Sequence, residues 1–169
     1  MVAPEVRREE PATRLAEREM LEAWLDYHRA TLLRKCAGLD ADQLKVASCP
    51  PSSLSLLGLV RHMADIEKGW FADFAGQGWE PRYRSPEDPR GEFESLDDDP
   101  VADVFTTYLA ECERSRSAVA PFGLDQVYTD EQDRTFSLRW VYLHMIEEYA
   151  RHNGHADLIR ERIDGTVGE

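Results

Sequence analysis

The sequence has few cysteines, no long apolar run and a shortage of positive charge. Its cysteines, Cys36, Cys49 and Cys112, are odd in number, lie far apart and form no CxxC pair. This spacing argues against a disulfide framework and against a thiolate zinc site. No run of about 18 apolar residues could span a bilayer, and the first residues lack the apolar core of a signal peptide. We therefore expect a cytoplasmic protein.

The shortage of positive charge narrows the choice of partner. Lysine and arginine total 20 against 33 acidic residues, which leaves a net charge of −13. Such a chain repels both a nucleic-acid backbone and an anionic membrane surface, so we expect neither as a partner. A phosphate-binding glycine loop, a GxSxG motif and a hydrolytic triad are also missing. The overall charge does not exclude a local basic pocket for an acidic small molecule.

Helical periodicity dominates the rest of the chain. Four segments repeat apolar residues at the 3.6-residue period, and each is bounded by capping residues, proline or glycine. Their expected limits are Thr13 to Gly38, Ser52 or Ser53 to Phe74, Asp98 or Asp99 with Pro100 to Pro121, and Ser137 to Asp164. No convincing strand appears, although residues 124–137 could hold a short extended piece. This pattern predicts an all-α four-helix bundle with long crossover loops.

The predicted domain spans residues 12–165, between a flexible arm at 1–11 and a tail at 166–169. The connection at 75–99 is too long for an ordinary loop, so we expect it either to be functional, by forming or covering a pocket, or to be partly disordered.

The last predicted helix concentrates the residues that could carry chemistry. Glu148 and His152 are four residues apart, so they share a helix face and lie in line with apolar positions. His144 precedes Glu148 by one turn, and His155 follows His152. His62 lies on the apolar side of the second helix. Two imidazoles and one carboxylate from His62, Glu148 and His152 would form the ligand set of a catalytic zinc or ferrous site.

Simpler explanations remain open at this point. Glu148 and His152 could form an i,i+4 ion pair on a hydrated face, and His28 is best explained as a hydrogen-bonded core residue. His155 could be a fourth ligand or could support one, and His144 could stand at the pocket mouth. Spacing alone does not decide between these roles. The cysteines have no partner arrangement typical of a nucleophile, and Cys36 and Cys112 are expected to be buried and inert.

Two stretches, SLLGLVRHMADIEKGWF and LRWVYLHMIEEYARHNGHADLIRERIDG, resemble the DinB/YfiT-like superfamily of metal-binding four-helix bundles. The similarity extends from about residue 12 to residue 165 and is strongest to the branch found in bacteria that use mycothiol. It implies one metal ligand at His62 and two more at Glu148 and His152. Glutamate replaces the histidine usual at the middle position, as in the mycothiol-dependent maleylpyruvate isomerase branch.

This resemblance also implies an activity. We expect a metal-dependent thiol S-transferase or isomerase that uses a low-molecular-weight thiol such as mycothiol. Zinc is the expected metal, with nickel or iron as alternatives, and it would activate the thiol as a thiolate. His144 and His155 are candidates for proton relay, and Arg151, with Arg82 and Arg84, for binding an acidic substrate or cofactor. The alternatives are a metal-dependent hydrolase and a non-catalytic metal-binding stress-response protein. A homodimer is also expected.

Overall fold

A computed structural model describes residues 2–168 and confirms the mostly helical expectation, with 56% of residues in helices. Its four long helices occupy the four predicted segments. In chain order the elements are α1 (Glu17–Cys36), α2 (Ala41–Lys45), α3 (Leu56–Phe74), α4 (Gly91–Glu94), α5 (Val101–Val119), β1 (Val127–Thr129), β2 (Thr135–Ser137) and α6 (Leu138–Asp164). Helix α1 packs along α6 and α3 along α5, and α3 also contacts α6.

The starts of α1, α3 and α5 differ from the predicted ones, because other residues occupy the cap positions. Ala16, rather than Thr13, precedes α1, and its N–H donates to the Glu19 carboxylate. Ser55 caps α3, because its Oγ accepts from the N–H of Gly58 at 3.1 Å. Pro100 occupies the N-cap position of α5 instead of its first turn.

Both predicted ends of α6 are confirmed. The Ser137 hydroxyl accepts from the N–H of Trp140, and Gly165 ends the helix in the left-handed conformation at φ 80°. Glycine adopts this conformation without the steric cost that a Cβ would add.

The connections contain more structure than the sequence pattern predicts. Residues 75–99 include the short helix α4. The polar stretch before α6 folds into an antiparallel hairpin, in which Tyr128 pairs with Phe136. The short extended piece that residues 124–137 could hold is confirmed as these two three-residue strands, but their alternation is too short for the sequence to predict the pairing.

One buried polar network joins all four long helices. Arg29 of α1 donates to both carboxylate oxygens of Glu67 on α3, at 2.6 Å each. Tyr149 of α6 donates to Glu67 at 2.8 Å and contacts the hydroxyl of Tyr108 on α5 at 2.9 Å. Arg29 is 5% exposed and Glu67 is fully buried, so each charge depends on the other for compensation. The network fixes how the helices face one another.

Other parts of the chain test further expectations. The described part of the predicted arm, residues 2–11, contains no helix or strand, but Ala3 is buried and Val2 and Val6 pack against the core. Cys36 and Cys112 are buried as predicted, and desolvation raises the pKa of each thiol to about 12. No helix between residues 2 and 168 is both long and apolar enough to cross a membrane.

Candidate metal centre

Helices α3 and α6 bring His62, Glu148 and His152 together. Each contributes one nitrogen or oxygen ligand atom, and the three atoms lie within 4.8 Å of one another. The His152 Nε2 is 3.4 Å from the Glu148 Oε2, and the rings of His62 and His152 have their centroids 4.7 Å apart. Their side chains are only 12–16% exposed. The cluster lies beside the apolar core rather than within it.

The orientation of His62 is set by a residue that the sequence analysis did not single out. Glu92 of α4 places its Oε1 3.4 Å from the His62 Nδ1, which leaves Nε2 as the free ring nitrogen. A carboxylate that holds the far nitrogen of an imidazole is the usual support of a histidine ligand. Phe93 lies against the other side of the site, with its ring centroid 5.6 Å from that of His62.

Helix α4 reaches this position because α3 has a glycine where the two elements meet. A Cβ on Gly58 would approach the Phe93 ring to 2.8 Å and the Glu92 carbonyl oxygen to 3.2 Å. The 75–99 connection therefore lies directly on α3 and contributes Glu92 to the site. The role of this connection in forming a pocket stays a prediction, and the contact between Glu92 and His62 shows that the connection reaches the site.

Burial keeps the two imidazoles neutral at physiological pH. Desolvation lowers the pKa of His62 to about 4, and the positive charge of Arg84 acts in the same direction. Desolvation also lowers the pKa of His152 to about 4, with His62 adding to the effect and Glu148 opposing it. A neutral imidazole presents a lone pair, which is the form that binds metals.

His155 and His144 flank this cluster without joining it. The His155 Nδ1 is 3.4 Å from the His152 Nδ1, so one of the two must donate to the other. His144 stacks on Trp140, with ring centroids 4.8 Å apart, and its Nε2 is 3.9 Å from the Glu148 Oε1. His155 can thus fix the tautomer of His152, while His144 stands at the edge of the site as the sequence suggested.

Two other predicted residues have different surroundings. Arg151 forms ion pairs with Glu147 and Glu148, so its charge is already engaged by carboxylates. Its role in cofactor binding stays a prediction. His28 lies apart from the metal cluster, near the side-chain amide of Asn153 at 3.4 Å, and burial lowers its pKa. This agrees with the interpretation of His28 as a hydrogen-bonded core residue.

The donor set fits a divalent cation such as zinc. Two imidazoles and one carboxylate match a catalytic site with an open position. A tetrahedral ion with bonds of about 2.1 Å separates its ligand atoms by roughly 3.4 Å, close to the His152–Glu148 distance of 3.4 Å. The Glu92 Oε2 is buried and has no hydrogen-bond partner among residues 2–168. Two neutral imidazoles beside the carboxylates of Glu148 and Glu92 form a donor set that is compatible with a compensating cation.

A cavity of about 500 Å³ runs along α3 from Asp65, three residues after His62, and none of the three candidate ligands lines it. Ile66 and Trp70, one and two turns after His62, line it, and the Trp70 ring lies 4.6 Å from that of His144. Trp79 lies opposite, held by a hydrogen bond from its Nε1 to Asp73. Arg84 also lines the cavity.

The sequence could have suggested Glu92 only weakly. It lies in a charged, proline-rich connection where acidic residues are common, and no periodicity marks one of them as buried. Knowledge of the α4 position was needed to distinguish Glu92, at 5% exposure, from its neighbours.

Comparison with protein families matches residues 20–165 to the family model described as MST, mycothiol-S-transferase. A search of curated proteins finds no match.

Proposed function

The chain belongs to the mycothiol-S-transferase family, and from this premise we propose that it joins a low-molecular-weight thiol to an electrophilic substrate at a divalent metal. The thiol is mycothiol or a close analogue. The observation that carries the proposal is the convergence of His62, Glu148 and His152 within 4.8 Å, beside a cavity large enough for a small molecule. The four long helices are, in this proposal, the four-helix bundle of the DinB/YfiT-like superfamily.

The proposed ligands are His62 Nε2, His152 Nε2 and a Glu148 carboxylate oxygen, and zinc is the preferred metal. Such a cation, when bound, lowers the pKa of a coordinating thiol so that the thiolate predominates at neutral pH. Glu148 contributes one negative charge, which reduces the net charge of the centre to about +1. A centre of lower positive charge leaves the sulfur more nucleophilic than three neutral histidines would.

The remaining residues orient the ligands and handle the proton. Glu92 holds Nδ1 of His62, and His155 holds Nδ1 of His152, so both rings present Nε2 to the same point. The thiol proton leaves through His144 or His155, which border the centre and are only partly buried. The ring of Phe93 packs beside His62, and the ring of Trp70 packs beside His144.

Conjugation of a fluorogenic electrophile tests the proposal. Zinc-loaded protein, mycothiol and monochlorobimane should give the bimane thioether faster than the uncatalysed reaction. His152→Ala should lower the rate of the catalysed conjugation at least about 100-fold, because it removes a proposed metal ligand. His28→Ala, which changes a histidine outside the cluster, is the matched control and should retain activity.

Two outcomes would contradict the proposal. Absence of both thiol binding and conjugation with any model electrophile would exclude the transferase function. If His152→Ala then lowered the melting temperature of the zinc-loaded protein, a structural, non-catalytic metal site would be the better explanation. The predicted homodimer is a separate proposal, tested by sedimentation of the metal-loaded chain.

A further inference from the structure

The cavity beside the metal centre contains one cationic side chain without a partner. Among residues 2–168 the guanidinium of Arg84 forms no hydrogen bond and no ion pair, although the side chain is half-buried. The other arginines that the sequence offered for an acidic ligand are occupied. Arg82 binds the Asp99 carboxylate at 3.1 Å, and Arg151 binds Glu147 and Glu148.

The position of Arg84 is fixed by the residues just before it. Asp65 of α3 accepts hydrogen bonds from the backbone N–H of Arg82 at 2.8 Å and of Tyr83 at 3.0 Å. Both oxygens of Asp65 are therefore used in holding the chain, and Tyr83 is buried at 4% exposure. The next residue, Arg84, enters the cavity from an anchored backbone instead of a free loop.

The carboxylates that line the same cavity are largely satisfied. Asp73 accepts from the Trp79 indole at 3.0 Å, and Asp130 pairs with Arg134 at 2.6 Å. Glu131 is exposed on the hairpin. Arg84 lies near His62 and near Asp65, which is itself one of the four carboxylates that line the cavity, with Asp73, Asp130 and Glu131. Both oxygens of Asp65 are engaged by backbone N–H groups, so among residues 2–168 the Arg84 guanidinium has no hydrogen-bonded carboxylate.

The walls of the cavity are aromatic and preformed. Trp79 packs directly on α3, because a Cβ at Gly69 would meet the indole at 2.7 Å. Trp70 lines the cavity from α3 itself. From His62 to Asp73 the helix rises by roughly 16 Å, which sets the length of a ligand that follows this wall. Both indoles line the cavity and offer flat apolar surface on which a planar apolar body can pack.

From these features we infer that Arg84 binds a carboxylate of the electrophilic co-substrate, whose planar apolar body lies against Trp70 and Trp79. A guanidinium and a carboxylate form a charge-assisted, bidentate pair, which is strong where water is partly excluded. Because the protein as a whole is strongly acidic, a local cation is needed to retain an anionic ligand. The inference rests on the proposed transferase function for the identity of the ligand as an electrophile.

A matched pair of electrophiles tests this inference. In 4-(bromomethyl)benzoate the thiol sulfur forms a bond to the benzylic carbon, the carbon–bromine bond breaks, and bromide and the thiol proton are released. Its methyl ester reacts identically but lacks the negative charge. With zinc-loaded protein and mycothiol, we expect a lower KM for the acid, and Arg84→Gln should raise that KM by about 10- to 100-fold. The KM for the ester should stay unchanged.

Two further variants separate charge from geometry. Arg84→Lys keeps the charge but loses the planar fork, so it should recover only part of the affinity for the acid. Arg82→Gln is the matched control, because Arg82 is two residues away, is paired with Asp99 and lies outside the cavity. It should change neither KM. An unchanged KM for the acid in Arg84→Gln, or an equal increase for the ester, would overturn the inference.

A binding measurement without any reaction distinguishes failure of this inference from failure of the proposed function. Unreactive 4-methylbenzoate is titrated into zinc-loaded protein, and quenching of tryptophan fluorescence is followed, with methyl 4-methylbenzoate as control. Binding of the acid that weakens in Arg84→Gln would support the inference even if no thiol conjugation occurred. Conjugation that proceeds equally with acid and ester, with no dependence on Arg84, would leave the transferase function intact and refute the inference.

Discussion

Replacing Glu92 with glutamine should weaken metal binding although Glu92 is not a proposed ligand. The carboxylate faces the His62 Nδ1 at 3.4 Å and is 5% exposed. Glutamine has nearly the same shape, so the change removes one negative charge and little volume. The substitution should therefore weaken the interaction with His62 and the attraction for a cation bound to its other ring nitrogen. The packing of α4 on α3 should be retained.

The magnitude follows from the distance between the charge and the centre. The contact, the imidazole ring and a metal–nitrogen bond together place the Glu92 oxygen roughly 7 Å from a bound cation. At an effective dielectric constant near 20, this separation corresponds to roughly 2 kcal/mol per unit of cationic charge. Solvent and the glutamine dipole offset part of it. We expect a loss of about 10- to 100-fold in zinc affinity, or about 1.4–2.7 kcal/mol.

Competition with a chromophoric chelator at pH 7 measures this affinity directly. Glu94→Gln is the matched control, because Glu94 belongs to the same short helix but pairs with Arg90 at the surface. It should leave the affinity unchanged. A Glu92→Gln protein that binds zinc as tightly as the parent would refute the proposed support of His62. So would an equal loss in Glu94→Gln, since that would indicate a general effect of acidic charge.

Three further predictions concern pH, packing and stability. The pKa values of His62 and His152 are about 4, so zinc affinity should change little between pH 7 and 5.5. A site with two histidines of ordinary pKa would lose roughly 70-fold in zinc affinity over the same range, because both rings become protonated. Because the unfolded chain binds more protons between pH 4 and 6.5, the metal-free protein should also lose stability as the pH falls through that window, as urea titrations can show. Gly58→Ala should lower the free energy of unfolding by about 1–3 kcal/mol and weaken zinc binding, because its Cβ would clash with Phe93. Gly154→Ala has open space around its Cβ and should stabilise α6 by up to about 1 kcal/mol, as thermal unfolding can show. Glu67→Gln should cost up to about 3–5 kcal/mol in urea unfolding, because the buried Arg29 would keep only the half-exposed Asp26 as a carboxylate partner. The exposed Glu113→Gln should cost less than about 1 kcal/mol.

The sequence predicted the features that repeat or have fixed spacing. The 3.6-residue period located the four long helices, and the caps Ser137 and Gly165 marked the ends of α6 correctly. The i,i+4 spacing of Glu148 and His152 placed them on one face, and the apolar neighbours of His62 indicated that it points inward. The structure brings these three residues together as predicted.

Features that depend on irregular backbone were beyond the sequence. Glu92 and Arg84 lie in the 75–99 connection, where neither helical nor strand periodicity applies. Their positions follow from tertiary contacts, with Gly58 admitting α4 and Asp65 anchoring the chain before Arg84. The hairpin before α6 was likewise too short to be recognised by alternation.

Zinc titration of the metal-free protein tests the central claim most directly. We expect binding of about one equivalent of zinc per chain, because the proposed site is a single three-ligand site. His62→Ala, Glu148→Ala and His152→Ala should each weaken this binding strongly, whereas His28→Ala should leave it unchanged. Failure of the parent protein to bind any divalent ion, or an unchanged affinity after loss of any one of the three ligands, would contradict it.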